Sequence, residues 1–102
     1  MSDAPDSTEL DPDGHRVVLE NDHVRVLEVR VAEGATLALH SHPPRSVVAI
    51  GSYRLRSTDA AGKVSVIDRR PGDVSWSDGE VHSATVLIGP VHAIEVEVKA
   101  PS

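Results

Sequence analysis

The chain has 102 residues, enough for one domain with a modest core and too few for two. It contains no cysteine, which excludes disulfides, thiolate metal ligands and a cysteine nucleophile, and which fits a reducing compartment. No apolar run reaches the length of a membrane span, and the N-terminus lacks a signal-peptide pattern. We therefore expect a soluble cytoplasmic protein that does not bind a membrane.

The net charge of −6 is concentrated near the N-terminus. Residues 1–14 hold five of the sixteen acidic residues and no basic one, so the rest of the chain has eleven acidic against ten basic side chains. A nearly neutral domain without a basic patch does not attract nucleic acid, and we expect no such partner. Because residues 1–14 are polar and include two prolines, they are predicted to form a flexible acidic tail before one domain over residues 15–102.

After this segment, short strand-like runs alternate with turn signals rich in Gly, Pro and Asp. The predicted strands cover residues 16–20, 23–32, 36–42, 47–50, 53–58, 64–68, 74–77, 82–88 and 91–99. No window shows a sustained helical period of apolar residues. Strands that recur roughly every ten residues between turn signals predict an all-β sandwich or barrel.

The last predicted strand alternates between two kinds of side chain, as a strand with one buried and one exposed face does. The face predicted to be buried holds His92, Ile94, Val96 and Val98, and the face predicted to be exposed holds Ala93, Glu95, Glu97 and Lys99.

Three histidines predict a metal site. His40 and His42 are separated by one residue, so on a strand both imidazoles project from the same face, with Leu37 and Leu39 on the other. His82 belongs to a different predicted strand and can supply a third imidazole. Three such ligands suit a mononuclear transition-metal site.

The spacing of these residues resembles the RmlC-like cupin superfamily. Its first motif is a Gly, five residues, H-x-H and, three or four residues later, a Glu; Gly34, His40 and His42 fit it. Its second motif is a Gly, five residues, P-x-G, about two residues, a His, three residues and an Asn; Gly72 and His82 fit with one residue fewer before the histidine. The resemblance covers about residues 20–99 and implies a small single-domain cupin β-barrel, an antiparallel double-stranded β-helix or jelly roll, with the ligands inside.

The chain also departs from the family's motifs. The first-motif Glu would lie at Ser46 or Val47, and neither offers a carboxylate. Residues 78–80 stand where the second motif has P-x-G, and Val86 stands near its Asn. The resemblance therefore leaves a three-histidine variant, a ligand set with which several cupin oxygenases work.

Three neutral imidazoles would leave the full charge of a divalent ion in place, which favours anionic, bidentate substrates. The hypothesis is one divalent transition metal per chain, with iron(II) favoured and zinc, nickel, copper or manganese left open. The favoured function is a dioxygenase that acts on a small anionic or chelating substrate. A metal-dependent lyase, isomerase or hydrolase and a non-catalytic small-molecule-binding cupin are the alternatives.

Two further residues are candidate catalytic groups. Glu80, two residues before His82, can act as a general base or as a hydrogen-bond acceptor behind a metal ligand, or can be a plain turn carboxylate. Arg45 follows the H-x-H strand and can meet a substrate carboxylate, or can be a solvated loop residue.

The remaining expectations concern residues around the site. Ser46, Glu80 and His92 are left open as members of the metal shell, and Trp76 is either a pocket wall or plain core. His15 and His23, at strand beginnings, are expected at the surface. Because a small barrel leaves edge strands to be covered, and many cupins are dimers, we expect a homodimer.

Overall fold

The computed structural model describes residues 4–100 as one short helix and nine strands. Helix α1 spans Ser7–Leu10. The strands are β1 (His15–Glu20), β2 (Val24–Val31), β3 (Thr36–His42), β4 (Arg45–Ala49), β5 (Tyr53–Asp59), β6 (Val64–Arg69), β7 (Val74–Ser77), β8 (Glu80–Ile88) and β9 (Val91–Val98). None of the helices in this part of the chain is long and apolar enough to cross a membrane.

The strands form two antiparallel sheets, one ordered β1-β2-β9-β4-β7 and the other β3-β8-β5-β6. Both sheets contribute to a buried core dominated by branched aliphatic residues, whose Cβ atoms pack well on a pleated surface. Its members are Leu27, Val29, Val31, Ala49, Tyr53, Val86, Val91 and Ala93. The all-β prediction is confirmed.

The prediction for the two faces of β9 is wrong. Ala93, Glu95 and Glu97 are buried, whereas His92, Ile94 and Val96 are half-buried on the outer face. Register with β2 explains this, because directly opposed residues of an antiparallel pair share a face: Val31 faces Val91, Val29 faces Ala93, Leu27 faces Glu95 and Arg25 faces Glu97. Because the apolar face of β2 has to be buried, the residues of β9 that lie opposite it, including Glu95 and Glu97, also face inward.

A β-bulge in β3 corrects the predicted position of Leu37. Leu37 pairs with Ala84 and His40 with His82, so two residues of β3, Ala38 and Leu39, lie opposite one residue of β8, Ser83. The extra residue brings Leu37 to the same side as His40, where it packs against the core. Leu39 is 44% exposed on the other side.

Residues 4–14 differ from the flexible tail expected over residues 1–14; residues 1–3 lie outside the described part. Asp6 caps α1 and forms a capping box with Glu9. The backbone of Asp6 also forms an isolated parallel β-bridge with Ser41 of β3, and the Ser41 N–H donates to the Pro5 carbonyl at 2.8 Å. Hydrogen bonds and ion pairs with the barrel therefore order residues 4–14, although the segment has few apolar side chains to bury.

Candidate metal centre

His40, His42 and His82 meet at the inner surface of the barrel, on β3 and β8. Their exposed fractions are 1%, 6% and 5%. One ligating atom from each ring lies within 4.8 Å of the others, and the Nε2 atoms of His40 and His42 are 3.0 Å apart. Period-two alternation puts His40 and His42 on one face, and the register of β3 with β8 sets His82 directly opposite His40.

Hydrogen bonds at the far sides of the rings orient two of the three ligands. His40 Nδ1 donates to the Ala38 carbonyl at 2.7 Å, which leaves the Nε2 lone pair of the neutral ring facing the cluster. His82 Nδ1 lies 2.7 Å from the Ser57 hydroxyl oxygen. Such contacts fix the ring orientation of metal-binding histidines.

His42 differs from the other two ligands, because its buried Nδ1 has no hydrogen-bond partner within residues 4–100. The Oε1 atom of Glu95 lies 3.7 Å from it and is also buried without a hydrogen bond. Binding of a metal at Nε2 requires the ring proton to sit at Nδ1, facing this carboxylate. The two unpartnered atoms therefore fit a metal-bound His42.

Burial keeps the three rings neutral. It lowers the pKa of His40 and of His42, and it lowers the pKa of His82 to about 4, against the opposing charge of Glu80. Metal binding needs unprotonated imidazoles, so no proton has to be displaced by the metal near pH 7. The donor set of three neutral nitrogens fits a divalent transition metal.

Arg45 lies between two carboxylates, each of which adjoins a metal-site histidine. Its Nη2 donates to Glu80 Oε1 at 2.9 Å, and its Nε is 3.2 Å from Glu95 Oε1, an ion pair not aligned for a hydrogen bond. Glu80 Oε2 lies 3.7 Å from His82 Nδ1, as Glu95 Oε1 does from His42 Nδ1. Arg45 is 6% exposed, so it is not a solvated loop residue.

Two buried carboxylates of β9 were missed by the sequence-based prediction. Burial raises the pKa of Glu95 to about 7, while the guanidinium of Arg45 opposes the rise. Glu97 accepts a hydrogen bond from Arg25 Nε at 2.6 Å, and Arg25 Nη2 donates to Asp6 at 2.9 Å. The alternation of β9 does not predict that Glu95 and Glu97 are buried, because the arginines that balance their charges lie far away in sequence.

His15 was also missed, since it was expected at the surface. It is 4% exposed, and its ring centroid lies 6.4 Å from that of His40 and 6.1 Å from that of His42. Its register opposite Val29 turns it inward. His23, in contrast, is exposed as predicted.

The histidines line a cavity of about 320 Å³ between the sheets. Most of its remaining wall is apolar, including Val29, Leu37, Leu55 and Val86. A cavity of this size suits a small molecule.

Three other residues considered for the site lie around its margin or outside it. Trp76 borders the cavity, but its side chain is on the outer face of β7, is 56% exposed and donates its indole N–H to Asp78, so it is not core. Ser46 lies opposite Trp76 and Val96 on the outer face of its sheet. His92 is half-buried on the outer face of β9, with Nε2 3.0 Å from Glu28.

Comparison with solved structures gives clear similarities. A cupin domain from Bordetella pertussis Tohama I superposes with a TM-score of 0.74 at 22% identity, over 84% of this chain and 92% of that one. A cupin superfamily protein from Desulfitobacterium hafniense gives 0.63 at 14% identity, over 84% and 76%. A Klebsiella pneumoniae protein with a double-stranded β-helix domain gives 0.62 at 24%, over 80% and 68%.

No protein-family model and no curated protein matches the sequence. The similarities to solved structures lie below 25% identity and speak for the fold alone. Together with the two antiparallel sheets and the inward histidines, they confirm the fold implied by the spacing of Gly34, His40, His42 and His82. The protein has the cupin fold.

Proposed function

We propose that the protein is a mononuclear metalloenzyme in which His40, His42 and His82 hold a divalent transition metal. The supporting observation is the group of three buried, uncharged imidazoles with ligating atoms within 4.8 Å of one another. Burying three such rings is unfavourable unless their nitrogen atoms find partners, and a metal ion supplies one shared partner for all three.

The substrate is a small anion that can chelate. Three neutral ligands leave the metal's charge of +2 uncompensated by direct ligands, and Arg45 is already balanced by Glu80 and Glu95. The attraction for an anion therefore comes from the metal site rather than from Arg45. The predicted catalytic roles of Arg45 and Glu80 stay predictions; their contacts favour orienting His42 and His82.

Iron(II) is the favoured metal and a dioxygenase the favoured activity. Imidazole ligands suit iron, and iron(II) with open coordination positions supplies O₂ activation when it is bound. The contribution of the chain is a largely apolar wall that excludes water from a substrate held in the cavity.

A proton-transferring lyase, isomerase or hydrolase is the second candidate. The observation in its favour is Glu95, whose pKa is raised to about 7, beside His42 and Arg45. A carboxyl group that titrates near neutral pH suits general acid–base catalysis.

Metal analysis tests the proposal. Untagged protein, purified without chelator, is compared with His82→Ala and with His92→Ala, whose histidine lies on the outer face of β9. We expect one metal per chain in the wild type and in His92→Ala, and its loss in His82→Ala. A wild type that stays metal-free after reconstitution with iron(II), zinc or manganese would contradict the proposal.

Turnover separates the activities. Iron-loaded protein is offered 1,3-diketones, thiol-carboxylates and hydroxy and keto acids with and without O₂. Consumption of O₂ with substrate supports the dioxygenase, and O₂-independent conversion supports the second candidate. Metal and ligand binding without any turnover would point to the non-catalytic binding protein instead.

We also propose a homodimer formed through β1. This strand is at the edge of the five-stranded sheet, and Val17, Val18 and Leu19 are 42–50% exposed. A second copy can pair with the edge of β1 and cover these three side chains.

Light scattering tests the dimer. The wild type should give twice the chain mass, and Val18→Lys should give a monomer, whereas Val64→Lys on the edge strand β6 should not. A monomeric wild type at micromolar concentration would refute the dimer.

A further inference from the structure

His15 stands beside the three-histidine group rather than in it. Its centroid distances of 6.4 and 6.1 Å exceed the 4.7–5.1 Å that separate the other three rings from one another. It is nevertheless almost fully buried and lines the same cavity. A molecule held at the three-histidine group is therefore flanked by this fourth ring.

Asp11 fixes the ring of His15 in one orientation. Its Oδ2 lies 3.2 Å from His15 Nδ1, and since a carboxylate only accepts, Nδ1 carries the proton. The carboxylate occupies the space that a side chain at Gly14 would fill, where an added Cβ would meet it. The turn from α1 into β1 is thus built to bring Asp11 to His15.

The other nitrogen of His15 is left without a partner. Among residues 4–100, Nε2 makes no hydrogen bond, although the ring lines the cavity. Burial lowers the pKa of His15 against the opposing charge of Asp11, which favours the neutral ring. With Nδ1 protonated, Nε2 of a neutral ring is a hydrogen-bond acceptor.

We propose that His15 is a specificity-determining residue that accepts a hydrogen bond from the substrate, so that the cavity selects 2-hydroxy acids over 2-oxo acids of the same size. A hydroxyl group donates to Nε2, whereas a keto oxygen leaves this nitrogen unpaired. A site that pairs with a hydroxyl discriminates strongly against analogues that lack it. The inference rests on the proposed function, because the acid group of the substrate is taken to bind at the metal site.

Calorimetric titration of zinc-loaded protein with lactate and with pyruvate tests this inference. Zinc is used because it is redox-inactive and leaves both acids intact. The two acids differ in intrinsic affinity for zinc, so the quantity compared between variants is the ratio of the pyruvate Kd to the lactate Kd. We expect this ratio to fall about tenfold in His15→Phe, the effect of about 1.4 kcal/mol for one hydrogen bond.

Two further variants complete the design. His15→Ala lacks the acceptor and cannot clash, so it should lower the ratio as His15→Phe does. His92→Phe removes a histidine that also pairs with a carboxylate, Glu28, but lies on the outer face of β9, and it should leave the ratio unchanged.

Zinc stoichiometry, measured first, separates the two proposals. A wild type that does not bind zinc or another divalent metal refutes the proposed function and this inference with it. A wild type that binds zinc but shows the same ratio as His15→Phe and His15→Ala refutes the inference alone. Zinc-loaded protein that binds neither acid refutes it as well.

Discussion

Removing the charge of Glu95 should change how the stability of the metal-free protein depends on pH. Burial raises the pKa of Glu95 from its usual 4.5 to about 7, which corresponds to about 3 kcal/mol at about 1.4 kcal/mol per pKa unit. Because the folded state holds the proton more tightly, this stability is fully present below about pH 4.5. It is lost as the pH rises to about 7.

Histidine titration overlaps this window, so the wild type alone is not informative. The pKa of His82 is lowered to about 4 by burial, so its contribution is present above about pH 6.5 and is lost as the pH falls towards 4. The two groups act in opposite directions. Comparison of wild type with Glu95→Gln, which mimics the protonated carboxyl, cancels the contribution of His82, which is common to both proteins.

The assay is urea unfolding of chelator-treated protein between pH 4.5 and 8. The free energy of unfolding of Glu95→Gln minus that of the wild type should become about 3 kcal/mol more positive from the acidic to the alkaline end. Glu97→Gln, on the same face of β9 but paired with Arg25, is the control. A Glu95→Gln difference that does not change with pH, or one that Glu97→Gln reproduces, would refute the reasoning.

Three other predictions follow from buried contacts. Ser57→Ala removes the hydroxyl beside His82 Nδ1 and should weaken metal affinity about tenfold in a chelator competition, whereas exposed Ser65→Ala should not; equal affinities would contradict the orienting role. Leu27→Ala, at a fully buried position, should lower the free energy of unfolding by about 2–5 kcal/mol in urea, and a loss below about 1 kcal/mol would speak against the core described. Ser41→Pro removes the N–H that donates to the Pro5 carbonyl, so amide exchange in α1 should speed up; unchanged exchange would show that the segment is held without that bond.

The strands and the three-histidine group could be predicted because they depend on local signals. Turn residues mark the strand ends, and alternation alone places His40 and His42 on one face. The inward position of His82 depends on the register of β8 with β3, which alternation does not give. The spacing of the cupin motifs predicted it instead.

Glu95 and His15 could not be predicted, because their positions depend on partners distant in sequence. Alternation shows that β9 has two faces but not which one is buried; the register with β2 decides that. The charges that make the inward face tolerable come from Arg45 and, for Glu97, from Arg25, 72 residues away. His15 likewise depends on Asp11, in a segment whose composition resembles that of a disordered tail.

The contact of Pro5 and Asp6 with Ser41 has a practical consequence for work with shortened chains. The strand β3, which carries His40 and His42, is the last strand of its sheet, and the N-terminal segment covers its open side. A chain trimmed to residues 15–102 would lose this cover together with Asp6, a partner of Arg25, and Asp11, the partner of His15. An uncovered edge invites strand-to-strand aggregation. Poor solubility or weak metal loading of such a fragment would therefore reflect the loss of the N-terminal segment that covers β3, and not an inactive site.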